Sequence, residues 1–403
     1  GSWRSGSDDH RDVAQEHPSS QNLMTPWSPH DLRYMKRALE LAARGSFFVR
    51  PNPQVGCVIV SPQNDIIGSG WHRSFGDRHA EVEAFESVAP LNQHLLSQST
   101  WYVTLEPCSH HGKTPPCADL ICQIKPARVV IAVEDPNPLV DGQGLHQLRK
   151  QGIQVDVGCL SDEATWQNRR FFHALKYKRP WVVLKWAESM DGFMDPRKAE
   201  DRTPKSGGRA ITGQQARLLT HRWRASEMGI LVGANTALID EPQLNVRHVD
   251  GRNPLRFILD PNRRVPTNHP LFSSSDGQEP AIHISSTHEI GSPPLSSWSW
   301  HPKEGLTALL ERLNTHHQLD SILIEGGAFT LQSFLDEDVW DEIKRWKNPS
   351  ILGKGLASPT LPEELTQPPF GPNRGFAGND EWQQCIHPRF SIDHLRLQIE
   401  GNQ

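Results

Sequence analysis

With 403 residues, 36% of them hydrophobic, the chain carries apolar material for about two domains of ordinary size. A formal net charge of −5 with no long Lys/Arg run argues against a protein that works by gripping a nucleic-acid backbone. The six Cys are too sparse for a disulfide scaffold, and no run of about 18 apolar residues exists to span a membrane.

In chain order, residues 1–27 are polar, lack an apolar signal core and read as a disordered segment. Order is expected from Ser28, a helix cap, with Pro29 at the first helical position and a stripe of Leu32, Met35, Leu39 and Ala42. "PQVGCVIVSPQNDIIGSGW" reads as two strands around an Asn64-Asp65 turn, and "HAEVEAFESVA" as a helix starting near His79. "TWYVTLEP" is a short buried strand that runs into a Cys-containing loop. "CADLICQI" is helical, and "ARVVIAVED" and "GIQVDVGC" are strands. The pattern restarts after "NRRFFHALKYKRP", giving domains over 28–177 and 178–403. In the second domain "WVVLKWAESMDG" is a strand, "TGQQARLLTHRWRA" a helix, "MGILVGANT" a strand and loop, and "PLRFILD" a strand. Residues 266–302, rich in Ser, Pro, His and Gly, read as a long surface excursion. "GLTALLERLNTHH" is helical, and "SILIEGGAFTLQSFLDE" is strand, glycine pair and helix. Strands alternating with helices imply an α/β class with largely parallel sheets.

The chemistry concentrates in "HAE" and "PCSHHGKTPPC". His79, Cys108 and Cys117 supply one imidazole and two thiolates, a donor set suited to zinc with the fourth position left for water. Glu81, two residues beyond His79, need not be a ligand and can stand beside that water as general acid/base. This matches the H-x-E…P-C pattern of nucleobase deaminases, but eight residues separate the two Cys where that pattern has two. A lone H-x-E is weak, and the competing reading is a closed structural zinc site; the whole set together favours catalysis. Cys122 and Cys57 read as core thiols.

The run "RPNPQVGCVIV", "HAEVEAFE", "TLEPCSHHGKTPPC" and "EDPNPLVDGQG" closely resembles the bifunctional riboflavin-biosynthesis deaminase–reductases, over about residues 30 to 360. The resemblance implies an N-terminal cytidine-deaminase-like α/β/α sandwich and a C-terminal dihydrofolate-reductase-like α/β domain. It implies zinc-dependent deamination of a diaminohydroxy-phosphoribosylaminopyrimidine, followed by NADPH-dependent reduction of the ribosyl group to ribityl. By position, Asn52, His72, His110 and Lys113 match contacts to the deaminase substrate and its phosphate. Taken alone, His72 is an ordinary His and Asn52 a turn residue between two prolines. Glu83 stands where Asn or His is usual.

In the second half, "LIEGGAF" and "LVGANT" are turns at helix starts that suit a cofactor phosphate, although neither is a G-x-G-x-x-G fingerprint and a glycine pair is more often only a turn. The resemblance assigns Glu188, Thr236, Asp240, Gly327, Ala328, Phe329, Thr330, Leu331, Gln332 and Ser333 to the cofactor. It assigns Arg224, Leu244, Arg247 and Glu325 to the substrate, with Lys185 in a catalytic or positioning role. Two arginines suit one phosphate. Ala210 and Gly208 depart from a Trp and a Ser usual in the family, so the alternative is a deaminase carrying a reductase domain that has lost its activity. A small-molecule substrate, no nucleic acid or membrane partner, homo-oligomerisation and a cytoplasmic setting complete the expectations, with an organelle address removed upstream left open.

Overall fold

The computed structural model describes residues 27–109, 115–136, 142–274, 277–286, 297–362, 365 and 373–390. His110, Lys113 and the N-terminal segment up to residue 26 lie outside the described residues.

Helix α1 (Pro29–Ala43) starts on a capping box: the Ser28 hydroxyl accepts the Asp31 N–H at 3.1 Å, and the Asp31 carboxylate accepts the Ser28 N–H at 3.2 Å. Its buried stripe is Tyr34, Met35, Ala38, Leu41 and Ala42, which includes the expected Met35 and Ala42, while Leu32 and Leu39 pack at the margin. It lies on β1 (Gly56–Val60) so closely that a Cβ at Gly56 would sit 2.0 Å from the Ala38 carbonyl oxygen, which only glycine permits. β2 (Ile66–Trp71) returns antiparallel after a turn in which Asn64 takes a positive φ. There follow α2 (Ala80–Glu86), β3 (Thr100–Val103), α3 (Cys117–Ile124), β4 (Arg128–Ile131), α4 (Gln143–Lys150) and β5 (Gln154–Val157). α5 (Ser161–Gln167) and α6 (Arg169–Tyr177) lead out of the domain.

The five strands run in the order β2-β1-β3-β4-β5. Only β3, β4 and β5 are parallel; β1 is antiparallel to both neighbours, so this sheet is mixed and not largely parallel as expected. A tight hairpin can join β1 and β2 only as antiparallel partners. Strand alternation sends Cys57 and Ile59 to the face covered by α2, α3 and α4, and Val58 and Val60 to the face covered by α1 and α5. That is an α/β/α sandwich.

The second unit begins with β6 (Trp181–Ser189), β7 (Phe193–Asp195), α7 (Gln214–Ala225), β8 (Gly229–Gly233), α8 (Ala234–Asp240) and β9 (Leu255–Leu259). It continues through β10 (Ile282–Ser285), β11 (Ser297–Ser299), α9 (Gly305–His317), β12 (Ser321–Glu325) and α10 (Ala328–Asp336). β13 (Glu342–Asn348), β14 (Leu356–Ala357), β15 (Arg374–Ala377) and β16 (Asp380–Ile386) close it. Nine strands run in the order β11-β10-β9-β8-β12-β6-β13-β16-β15, parallel from β11 to β13 and antiparallel beyond. β7 and β14 form a separate ribbon.

One face packs Val182, Leu184, Ile322 and Ile324 against α9 and α10; the other packs Val183, Ile230 and Val232 against α8. Each such aliphatic side chain contributes about 1.5–3 kcal/mol on full burial. Among the described residues, Trp101, Trp181, Trp186, Trp340 and Trp346 are under 2% exposed, the last four in this unit, so part of the high Trp count is core volume.

Two expectations are corrected. Residues 266–302 are not only a surface excursion, since Ile282–Ser285 is a buried strand inside the sheet. The polar composition around it masks a strand of four residues whose apolar members are only Ile282 and Ile284. "ANT" after β8 is the first turn of α8, a helix of seven residues, too short to show helical periodicity.

The two units meet through buried charge. Arg170 of α6 donates to Glu227 from Nε at 2.8 Å. From the first unit, Arg50 reaches Asp320 at 2.9 Å.

Candidate active sites

The first site forms where the N-terminus of α2, the loop after β3 and the N-terminus of α3 converge. His79 caps α2 without a side-chain bond to the helix, which leaves its ring free to face the cysteines. Its Nδ1 lies 3.3 Å from Cys117 Sγ and 3.5 Å from Cys108 Sγ, and the three donor atoms fall within 4.8 Å of one another. Zinc–sulfur and zinc–nitrogen bonds at a tetrahedral angle would separate S from N by about 3.5 Å, so the residues fit the ion. The Cys117 N–H, at the start of α3, donates to Cys108 Sγ at 3.3 Å, and the helix end favours a thiolate there.

A hydrogen bond from Cys117 and the nearby His79 bring the Cys108 thiol down to about 4, against the effect of burial. Sharing that bond, with burial, pushes the Cys117 thiol up. The bond to Cys108 lifts His79 to about 9. Glu81 is 3% exposed, and burial with the Cys108 charge raises its carboxyl to about 7, the range a proton shuttle needs. Cys122 is not part of the cluster and Cys57 is fully buried, so both remain core thiols.

His72 lies edge-on to His79, ring centroids 5.6 Å apart. Its Nδ1 faces the Arg78 carbonyl at 2.9 Å, so that nitrogen donates and Nε2 accepts from Asn52 Nδ2 at 3.3 Å. Burial lowers the pKa of His72, in keeping with a neutral ring. Asn52 and His72 thus reach the zinc ligands as one connected set. Glu83 is turned outward to Arg73 at 3.0 Å.

Sequence reasoning passed over Glu106. Its buried carboxylate accepts four backbone N–H bonds, from Asp135, Gly142, Gly144 and Leu145, at 3.0–3.4 Å, and so ties Asp135 and the start of α4 to the segment that delivers Cys108. The available signal was a carboxylate two residues before a metal-binding Cys.

The second site lies at the carboxyl ends of β6, β8 and β12. Lys185 and Glu325 are register partners on neighbouring parallel strands, and Lys185 Nζ sits 2.9 Å from Glu325 Oε1. Arg224 of α7 grips the same carboxylate through Nε at 2.7 Å and a terminal nitrogen at 2.9 Å. Burial alone would raise the Glu325 carboxyl, but Arg224 and Lys185 hold it well below the usual carboxylate range. The Arg224 fork is therefore engaged with Glu325, and Arg247, which donates to Gln243, is the exposed guanidinium of the expected pair. The Leu244 side chain is in the core, so a ligand can meet only its backbone.

The glycine pair Gly326–Gly327 takes φ of +82° and +68°, and a Cβ on Gly327 would lie 3.0 Å from Thr236 Oγ1. Opposite it, a Cβ on Gly233 would collide with Thr330 Oγ1 at 2.2 Å. The starts of α8 and α10 therefore abut, and helix starts of this kind suit a phosphate. Phe329 stands 82% exposed there, whereas the Leu331 side chain is wholly buried. Ser333 bonds back to the Phe329 carbonyl, and Gln332 is held by Thr360.

Asp240 receives Arg202 at 3.0 Å, and burial raises its pKa against that partner. Gly208 lies against the Asp240 carboxylate, and Ala210 is exposed nearby in sequence. Glu188 is buried beneath this end of the sheet, accepting from Trp186 Nε1 at 2.7 Å with Arg345 at 3.3 Å.

Comparison with known proteins places both units. Residues 28–133 match the cytidine and deoxycytidylate deaminase zinc-binding region, and residues 180–370 match the RibD C-terminal domain. The riboflavin biosynthesis protein RibD of Aquifex aeolicus is 37% identical over 336 residues, covering 81% of this chain and 89% of that one. The Escherichia coli protein of the same name is 35% identical over 372 residues, covering 84% and 94%. Among solved structures, Acinetobacter baumannii RibD superposes with a TM-score of 0.74 at 33% identity, covering 89% of this chain and 98% of that one. The deaminase/reductase of Thermotoga maritima gives 0.73 at 34% identity, covering 88% and 98%.

Proposed function

The chain belongs to the RibD family of bifunctional riboflavin-biosynthesis deaminase–reductases, and on that premise we propose which of its residues carry each reaction. Both halves are present: a zinc-dependent pyrimidine deaminase and an NADPH-dependent reductase. The deaminase half converts 2,5-diamino-6-(5-phosphoribosylamino)pyrimidin-4-one to 5-amino-6-(5-phosphoribosylamino)uracil, and the reductase half turns the ribosyl group of that product into ribityl.

His79, Cys108 and Cys117 hold the zinc. Zinc, when bound there, supplies a Lewis acid that draws the pKa of a water molecule towards about 7. Glu81 accepts the proton of that water and passes it to the departing amine as general acid/base. Asn52 and His72 orient the pyrimidine, and His110 and Lys113 meet its phosphate. In the reductase half NADPH supplies the hydride. The turns at Gly233 and Gly326–Gly327 receive its phosphates. The Lys185 ammonium, aimed by Glu325, donates a proton to the ribose ring oxygen as the ring opens. Arg224 keeps Glu325 ionised, and Arg247 meets the substrate phosphate. A division between the two domains at 177/178 falls at the end of α6.

No helix of the described residues is long and apolar enough to cross a membrane. A cytoplasmic setting and a homo-oligomer extend this reading.

The observation that carries it is the convergence of one imidazole and two thiols around a buried carboxylate. Glu81→Gln tests it: zinc content is retained, ammonia release falls by roughly 10²-fold or more, and NADPH oxidation with the deaminated intermediate continues. Undiminished ammonia release would remove Glu81 from the mechanism, and no NADPH oxidation by the unaltered protein would favour the deaminase-only reading.

A further inference from the structure

The segment that carries Asn52 is not held by its own domain alone. Arg50, two residues earlier, sends one guanidinium nitrogen to Asp320 Oδ1 at 2.9 Å and to Ser321 Oγ at 2.7 Å. Both belong to the reductase half, at the foot of β12. The ion pair is nearly buried, with side chains 10% and 6% exposed. Two residues after Asn52, Gln54 is clamped through its backbone. Its N–H donates to Asn168 Oδ1 at 2.8 Å, and its carbonyl accepts from Asn168 Nδ2 at 2.9 Å. Asn168 sits between α5 and α6, on the connection between the halves.

The sequence between the anchors is stiff. Asn52 stands between Pro51 and Pro53, each with a locked φ, and a residue before proline is itself restricted. A displacement at either anchor is therefore absorbed by few backbone torsions before it reaches Asn52. Asn52 in turn donates to His72, whose ring stands against the zinc ligand His79.

We infer that Arg50 is a positioning residue of the deaminase reaction: its buried bond to Asp320 and Ser321 uses the reductase domain to set Asn52 against the pyrimidine. The reductase half is thereby part of the deaminase substrate site, and separating the two would impair deamination even with the zinc cluster intact. This rests on the assignment of Asn52 to the substrate.

The test uses the full-length zinc enzyme. Deaminase KM and kcat, zinc content and reductase turnover on the deaminated intermediate are measured for Arg50→Met, Arg50→Lys, Asn52→Ala and the double variant Arg50→Met/Asn52→Ala. Arg50→Met is expected to raise the deaminase KM roughly tenfold with little change in kcat, zinc or reductase turnover. Arg50→Lys restores part of the loss. In the Asn52→Ala background Arg50→Met adds nothing further, because both act through one contact. If Asn52→Ala raises KM but Arg50→Met does not, or if the two effects multiply, the inference is overturned while the Asn52 assignment stands. If Asn52→Ala leaves KM unchanged, the assignment fails and this inference with it. Should Arg50→Met not fold, Asp320→Asn keeps the side chain's shape, weakens the 2.9 Å ion pair and reads the same KM shift at smaller size.

Discussion

Replacing Glu325 with Gln removes one negative charge that faces two cations. In the native site Lys185 lies 2.9 Å from one carboxylate oxygen, and Arg224 reaches both, at 2.7 and 2.9 Å. The side chains of all three are 11–13% exposed, so water screens the cluster weakly. The substitution takes the cluster from one net positive charge to two. Breaking a buried ion pair by removing one partner costs about 3–5 kcal/mol; the Gln carbonyl still accepts a hydrogen bond, so about 3 kcal/mol is expected. The pH dependence has a definite sign. Burial opposes ionisation of Glu325, but Arg224 and Lys185 override it and depress the folded pKa. A depressed carboxylate contributes stability that is complete above its unfolded value, about 4.3, and is lost as pH falls through the folded value. The advantage of the native protein over Glu325→Gln should be full at pH 7 and shrink progressively as pH falls below about 4, because the unfolded chain takes up a proton that the folded carboxylate still refuses. Urea unfolding measures it, followed by fluorescence of the buried Trp181, Trp186, Trp340 and Trp346. A gap that stays constant across this pH range, or is absent at pH 7, would refute the assignment of Glu325 as the counter-ion of both cations.

Two further outcomes are expected in the reductase half. Gly327→Ala forces a side chain into the left-handed region, costing about 1–2 kcal/mol, with its Cβ 3.0 Å from Thr236 Oγ1; the KM for NADPH should rise while ammonia release is unaffected. Phe329→Ala removes an 82% exposed ring at the start of α10. If cofactor half-buries that ring, the loss is about 1 kcal/mol, or roughly a fivefold higher KM for NADPH with protein stability unchanged.

The two sites were not equally legible in the sequence. His79, Glu81, Cys108 and Cys117 lie in short motifs at a strand end or a helix start, so type and spacing together announce a metal centre before any tertiary contact is known. The Lys185–Glu325 pair joins residues 140 apart, and Arg224 reaches Glu325 from 101 away. Those contacts depend on β12 lying between β8 and β6 in one register. Hydrophobic periodicity locates strands but says nothing of their order or register, so resemblance alone pointed to these residues, and it did not reveal that Arg224 grips Glu325. Arg50 and Asn168 escaped for the same reason. Each is an unremarkable polar residue until the second domain is set beside the first.

Composition misled where a short element sits in a polar neighbourhood, as at Ile282–Ser285. It misled differently at Gly208 and Ala210, where loss of a bulky side chain raised the question of a decayed reductase. Both positions are exposed and precede α7, outside the buried Lys185–Glu325–Arg224 cluster. Decay of an unused site should relax first the groups that are costly to bury, because an ionised carboxylate and two cations are tolerated out of water only while they remain paired. Here that costly cluster is complete, the glycine pair keeps its positive φ, and Asp240 keeps Arg202. The changes fall where substitution is cheap, and the buried charged cluster of the second site is in place.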